Sequence, residues 1–163
     1  MNYFYNTIRL NQIEPEVNNA SLSGVTNEIS IFLNELTDLK IKLNNTFRVQ
    51  LKQNNLIISN RLSKKNSNKN NDILKSIQFS QQRLLNEINS CLDSIHKQEI
   101  SFRNRYQQAK YMAQFNAIRN DLNIQLFIIK KRVSDIEKDV LNENSFLRSI
   151  LNKVNIILIF GNI

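Results

Sequence analysis

The sequence is poor in residues that turn or break a chain. It holds two glycines, Gly24 and Gly161, and one proline, Pro15, in 163 residues. Such scarcity excludes a fold of many short elements joined by tight turns and favours a few long ones. Cysteine occurs once, as Cys91, which excludes an internal disulfide. Histidine also occurs once, as His96. Five residues separate the two, about 140° around a helix, so no local Cys/His nucleophilic pair is built. A lone Cys and a lone His make no zinc cluster, and no Gly-rich loop is present to cradle a phosphate. The longest apolar run, "IILIF" at 156–160, falls far short of the roughly 20 residues a spanning helix needs. The N-terminal stretch lacks the apolar centre of a signal peptide. These absences point to a protein that is not an enzyme and takes no cofactor or metal. They also point to a cytoplasmic location, or to export without a classical signal peptide, and to no transmembrane helix.

What is present is a repeat of apolar residues. Apolar content is 41%, enough for a modest core. Residues 1–24 contain Pro15 and the polar "NNASLSG" and read as an irregular leader. From Val25 the pattern changes: Val25, Ile29, Phe32, Leu36, Leu39 and Leu43 step by four and three along one helix face. Phe47 and Leu51 continue the stripe with a small drift. A first long helix is expected over 25–62, with Thr26 as N-cap and Glu28 in the positive first turn. Residues 63–71 read as a basic polar loop, and Asn71 or Asp72 as the cap of the next helix.

The stripe resumes at Ile73 and Ile77 and runs on through Leu84, Ile88, Cys91, Ile95 and Phe102. It slips register between Ala109 and Phe115. It then continues through Leu122, Leu126, Ile129, Val133, Ile136 and Val140, is interrupted at Glu143, and finishes at Leu147, Ile150, Val154 and Ile157. Residues 72–160 are therefore read as a long helical region, broken near 109–115 or 142–145. The expected fold class is all-α: long amphipathic helices in a coiled-coil hairpin or small bundle. Two helices alone bury little, so a partner chain along the stripe is expected. Cys91 sits on the stripe as a small buried apolar residue, and His96 reads as a helix-surface residue.

Positive charge is unevenly spread. The net charge is +8. Residues 47–71 hold six Lys or Arg and no acid, among them Arg48, Lys52, Lys64, Lys65 and Lys69. Residues 101–132 hold seven (Arg103, Arg105, Lys110, Arg119, Lys130, Lys131 and Arg132) against Asp121 alone. Such blocks suit nucleic acid, anionic lipid or an acidic partner. Arg103, Arg105, Lys110 and Arg119 scatter around a helix at about 100° per residue, which disfavours groove docking. The spacing of Phe102 with Tyr106, and of Tyr111 with Phe115, suits packing along a helix better than base stacking.

Residues 112–141, "MAQFNAIRNDLNIQLFIIKKRVSDIEKDVL", resemble the C-terminal helix of type III secretion inner-rod proteins. Gln114, Ile118, Leu122, Leu126 and Leu141 fall on that family's spacing. The resemblance implies an exported protein that polymerises by helix packing. Residues 101–108, "SFRNRYQQ", are similar to a Ser-aromatic-Arg stretch in the coiled-coil stalk protein of the type III and flagellar export ATPase. That second resemblance implies an antiparallel helical hairpin.

The functional expectation is a non-enzymatic helical assembly protein, possessing a helical partner or self-associating, with Leu122 to Val140 and Val25 to Leu43 as its seam. Nucleic-acid binding through the two basic blocks is the second reading. Membrane-surface contact by residues 147–163 is the third. On the seam reading, Ile129→Asp places a charge in an apolar contact and abolishes assembly. Light scattering checks this: unchanged wild-type mass in the variant would remove Ile129 from any interchain seam.

Overall fold

The structure, a computed structural model, describes residues 19–64 and 68–160, with side chains described over 21–64 and 71–153. It is all-α, and no strand occurs among the described residues. Helix α1 spans Asn19–Lys42. A π-helical segment, Leu43–Arg48, leads directly into α2, Val49–Leu62. Helix α3 is Asn68–Gln108 and α4 is Met112–Phe160.

The element boundaries depart from expectation at several points. Helix α1 begins at Asn19, so residues 19–24 are helical and not part of an irregular leader; residues 1–18 lie outside the described residues. Gly24 sits inside α1 with open space around it, and a single helical glycine costs only about 1 kcal/mol. Thr26 is no N-cap: it lies within α1, and its hydroxyl donates to the Ser23 carbonyl. Helix α2 ends at Leu62, with a turn at 63–64. Helix α3 starts at Asn68, so Asn71 and Asp72 are interior residues and not caps. The chain breaks at 109–111, where the stripe slips, and stays helical through 142–145.

The break at 109–111 has a local cause. Tyr111 precedes the first residue of α4, and the Gln114 side chain reaches back from the third. Its Oε1 accepts from the Lys110 and Tyr111 backbone N–H groups at 2.7 and 3.1 Å. This is half of a capping box, and it satisfies donors that a helix start leaves orphaned. The π segment also follows from the pattern. Leu43, Phe47 and Leu51 lie four apart twice in succession. On a 3.6-residue helix those two steps would rotate Leu51 by about 80° relative to Leu43. A wider π turn absorbs the extra residue, and all three side chains are buried.

Contacts divide the chain into two units. Among the described residues, one comprises 19–39 together with Asp93–Lys130, the other those of 40–92 together with 131–160. Each is a packing of three helical segments. In the first unit, Glu28 pairs with Arg119 at 3.7 Å and Glu35 with Lys130. Both series ascend together, so α1 and α4 run parallel. Arg105 to Asp121 at 2.8 Å and the edge-on Tyr106–Phe115 contact, 5.7 Å between centroids, make α3 and α4 an antiparallel hairpin around the 109–111 corner. The buried Glu99 carboxylate accepts from Thr37 Oγ1 at 3.0 Å.

In the second unit Lys42 pairs with Glu137 at 2.8 Å, and Asn54 donates to Asn144. Glu87 accepts from Arg132 at 2.8 Å, and Ser80 donates to Glu143. Gln78 donates to Ser59 at 3.2 Å across the α2–α3 hairpin. Exposed ion pairs of this kind each contribute at most about 1 kcal/mol. Apolar burial carries the fold.

One level of this second core is polar. Leu51 and Ile58, Ile77 and Leu84, and Val140 and Leu147 are all buried. Between them in sequence lie Asn54 and Asn55, Ser80 and Gln81, and Glu143 and Asn144. Gln81 is fully buried, and neither its Oε1 nor its Nε2 has a partner among the described residues. Asn55 Oδ1, Glu143 Oε2 and Asn144 Nδ2 are likewise unpaired. A buried unsatisfied amide costs about 1–3 kcal/mol. Gln81→Leu is therefore expected to stabilise the protein by an amount on that order, read as a higher denaturant midpoint at unchanged slope. A lower midpoint would show that the amide is satisfied in solution.

Candidate interaction surfaces

The stripe residues expected to form a seam with another chain are used within this one. Val25, Ile29 and Leu36 of α1 are buried in the first unit with Leu122, Leu126 and Ile129 of α4. Leu43, Val133, Ile136 and Val140 are buried in the second. Phe32 and Leu39 are only half-buried, and Leu33 takes an inward position in their place. Steps of four then three, or three then four, satisfy the periodicity equally, so the pattern alone does not choose between Phe32 and Leu33. The location of Ile129 alters what its replacement means. Ile129→Asp would place a charge in the first unit's own core and unfold that unit, whatever the chain associates with.

The two basic blocks part company. In the block over 101–132, Arg105 pairs with Asp121, Arg119 with Glu28 and Lys130 with Glu35. Arg132 donates to Glu87 at 2.8 Å and to Ser90 at 3.0 Å. Four of its seven cations are thus matched by acids on neighbouring helices, and the block is no continuous basic surface. Arg103, Lys110 and Lys131 remain without an acidic partner among the described ion pairs. The block over 47–71 is different. Arg48 donates to Asn44 at 3.3 Å, and Lys52 and Lys64 are exposed with no ion pair among the described residues. The side chains of Lys65 and Lys69 lie outside the described residues. Arg48 and Lys52, with Asn55, Leu56 and Ser59, line one wall of an open groove of about 520 Å³. Gln82, Leu85 and Asn89 of α3 line the other, and no acid borders it.

A second kind of surface was not legible in the stripe. On α4, Ile124, Phe127 and Ile128 stand opposite the buried Ile118, Leu122, Leu126 and Ile129, and all three are exposed, Phe127 by 71%. They are spaced by three and four, so they adjoin on the outer face. Ile31, on the outer side of α1 in the same unit, is also exposed. The signal was present in the sequence as "NIQLFIIKK", where apolar residues fill both faces of the helix. An amphipathic reading keeps only one of them.

Cys91 is fully buried. Burial pushes its thiol up from the ordinary value of 9.0, outweighing the nearby Arg132 cation, and Glu87 adds to the rise. His96 is exposed on α3. No group of three His, Cys, Asp or Glu residues is placed to hold a metal ion among the described residues. Among the same residues, no helix is long and apolar enough to cross a membrane.

No protein-family model, curated protein or solved structure matches this chain.

The Cys91 thiol has a consequence that can be measured. A neutral thiol is favoured in the fold, so the folded state holds its proton to higher pH than the unfolded chain does. Its contribution to stability is complete below the unfolded value and declines as pH rises through the folded one. Native protein is expected to react with a thiol reagent at pH 8 far more slowly than denatured protein does. Equal rates would show that α3 opens readily at Cys91.

Proposed function

We propose that this chain is a non-enzymatic helical assembly protein, and that it associates with a second copy of itself through the outer face of α4 in the first unit. The observation that carries the proposal is the exposed trio Ile124, Phe127 and Ile128, with Ile31 exposed on the parallel helix α1. Contiguous apolar residues on an outer face mark interaction sites more often than scattered single ones do. Charge favours a second copy as the occupant. Over 19–39 and 93–130 the chain holds six Lys or Arg and six Asp or Glu, so two copies of the first unit approach without net repulsion. The setting proposed with it is a bacterial type III secretion apparatus, on the resemblance of residues 101–108 and 112–141 to that system's stalk and inner-rod proteins.

Nucleic-acid binding is the second reading, and one observation favours it: the acid-free groove lined by Arg48, Lys52 and the amides of Asn55, Gln82 and Asn89. Filter binding over a salt series tests that reading. Steep loss of retention with salt supports it, and no retention at low salt removes it.

Self-association is tested by sedimentation or light scattering across a concentration series. Wild-type mass is expected to rise above that of one chain. Phe127→Ser combined with Ile128→Ser is expected to weaken association at least tenfold with helicity unchanged, because both side chains lie outside the core. A wild-type chain that stays monomeric at the highest concentrations overturns the proposal.

A further inference from the structure

We infer that one end of the second unit docks on an anionic lipid surface. The fold brings three stretches together there. Ile58, Leu74, Ile77 and Leu147 form a buried cluster, and Leu62, Ile150 and Leu151 pack against it. The end of α2, the start of α3 and the C-terminal part of α4 are thereby held at one place.

These stretches share a charge. Lys64, Lys75, Arg148 and Lys153 are all exposed, and none makes an ion pair among the described residues. Lys65 and Lys69 fall in the same stretch of chain. Over 62–79 and 147–163 the only acid is Asp72. The imbalance belongs to this unit as a whole. Residues 40–92 and 131–163 hold fifteen of the 22 Lys and Arg and six of the 14 Asp and Glu, so they carry the entire positive balance of the chain.

The stretches also share apolar character. Beyond Lys153 helix α4 continues to Phe160 through "VNIILIF", in which six of seven residues are apolar. Phe79 on α3 is 76% exposed, and Ile73 and Phe146 are exposed nearby in sequence to the cluster. Cations beside an apolar helix end match the two layers of a membrane surface, anionic headgroups over acyl chains. A nucleic acid would use the cations and leave the apolar end unmatched. The apolar run is too short to cross a bilayer, so the contact lies along the surface. This inference is independent of association through α4 of the first unit.

The test is flotation of the full chain with vesicles containing phosphatidylglycerol, and with vesicles of phosphatidylcholine alone, at low and high salt. Wild type is expected to float with the anionic vesicles at least tenfold better than with the neutral ones, and less well at high salt. Replacing Lys64, Lys75, Arg148 and Lys153 together by Gln is expected to weaken binding at least tenfold. Ile157→Ser with Leu158→Ser is expected to weaken it by a similar factor and to leave a contact that high salt abolishes. Helicity by circular dichroism reports whether each variant folds, and the salt and lipid dependence of wild type stands without either. No flotation at low salt overturns the inference, as does equal binding to both vesicle types. So does retention of an oligonucleotide by a chain that ignores the vesicles.

Discussion

Burial of apolar stripes spaced by three and four residues is the constraint on which the rest of this structure depends. The chain has almost no glycine or proline with which to build turns, so its elements are long. A long helix with one apolar face is stable in water only when that face is covered. Each unit covers it with three segments of its own chain: α1 or α2 beside α4, running parallel, and α3 antiparallel to α4. Other features adapt to this packing. The π turn at Leu43–Arg48 keeps Leu43, Phe47 and Leu51 facing inward, and the Gln114 cap allows α4 to restart after three residues without a glycine.

Polar groups inside the second unit act differently from the ion pairs on its outside. Asn54, Asn144, Ser80 and Glu143 are hydrogen-bonded across helices, while Gln81 and parts of its neighbours are not. An apolar layer tolerates sliding by a turn, since one Leu replaces another at little cost. A polar layer tolerates it poorly, because each amide must meet another polar group or remain unsatisfied. The level at Asn54, Gln81 and Asn144 thus restricts how the three segments align, at some expense in stability.

Charge follows a different logic from apolarity. Two basic blocks of comparable density in the sequence have different fates. In the block over 101–132 most cations meet acids presented by neighbouring helices, whereas Lys52 and Lys64 of the other meet none among the described residues. The residual positive field therefore belongs to one unit, and the exposed apolar trio at Ile124, Phe127 and Ile128 belongs to the other. The proposed self-association and the proposed contact with an anionic surface thus draw on different parts of one small chain.

The all-α class and many of the inward positions between Val25 and Val140 were legible in the sequence, whereas Phe32, Leu39 and Ile73 lie on the stripe and are not buried. Periodicity near 3.5 in a chain without breakers allows few alternatives. The register slip near Ala109 marked the real break, while the polar "NENS" at 142–145, which reads like one, is helical. Other features were decided only by tertiary structure: the choice of Leu33 over Phe32, the burial of Gln81, the neutralisation of Arg105, Arg119, Lys130 and Arg132, and the return of the stripe onto its own chain. Each depends on what a neighbouring helix places opposite a residue. A linear pattern records which face of a helix is apolar, but not what that face will meet.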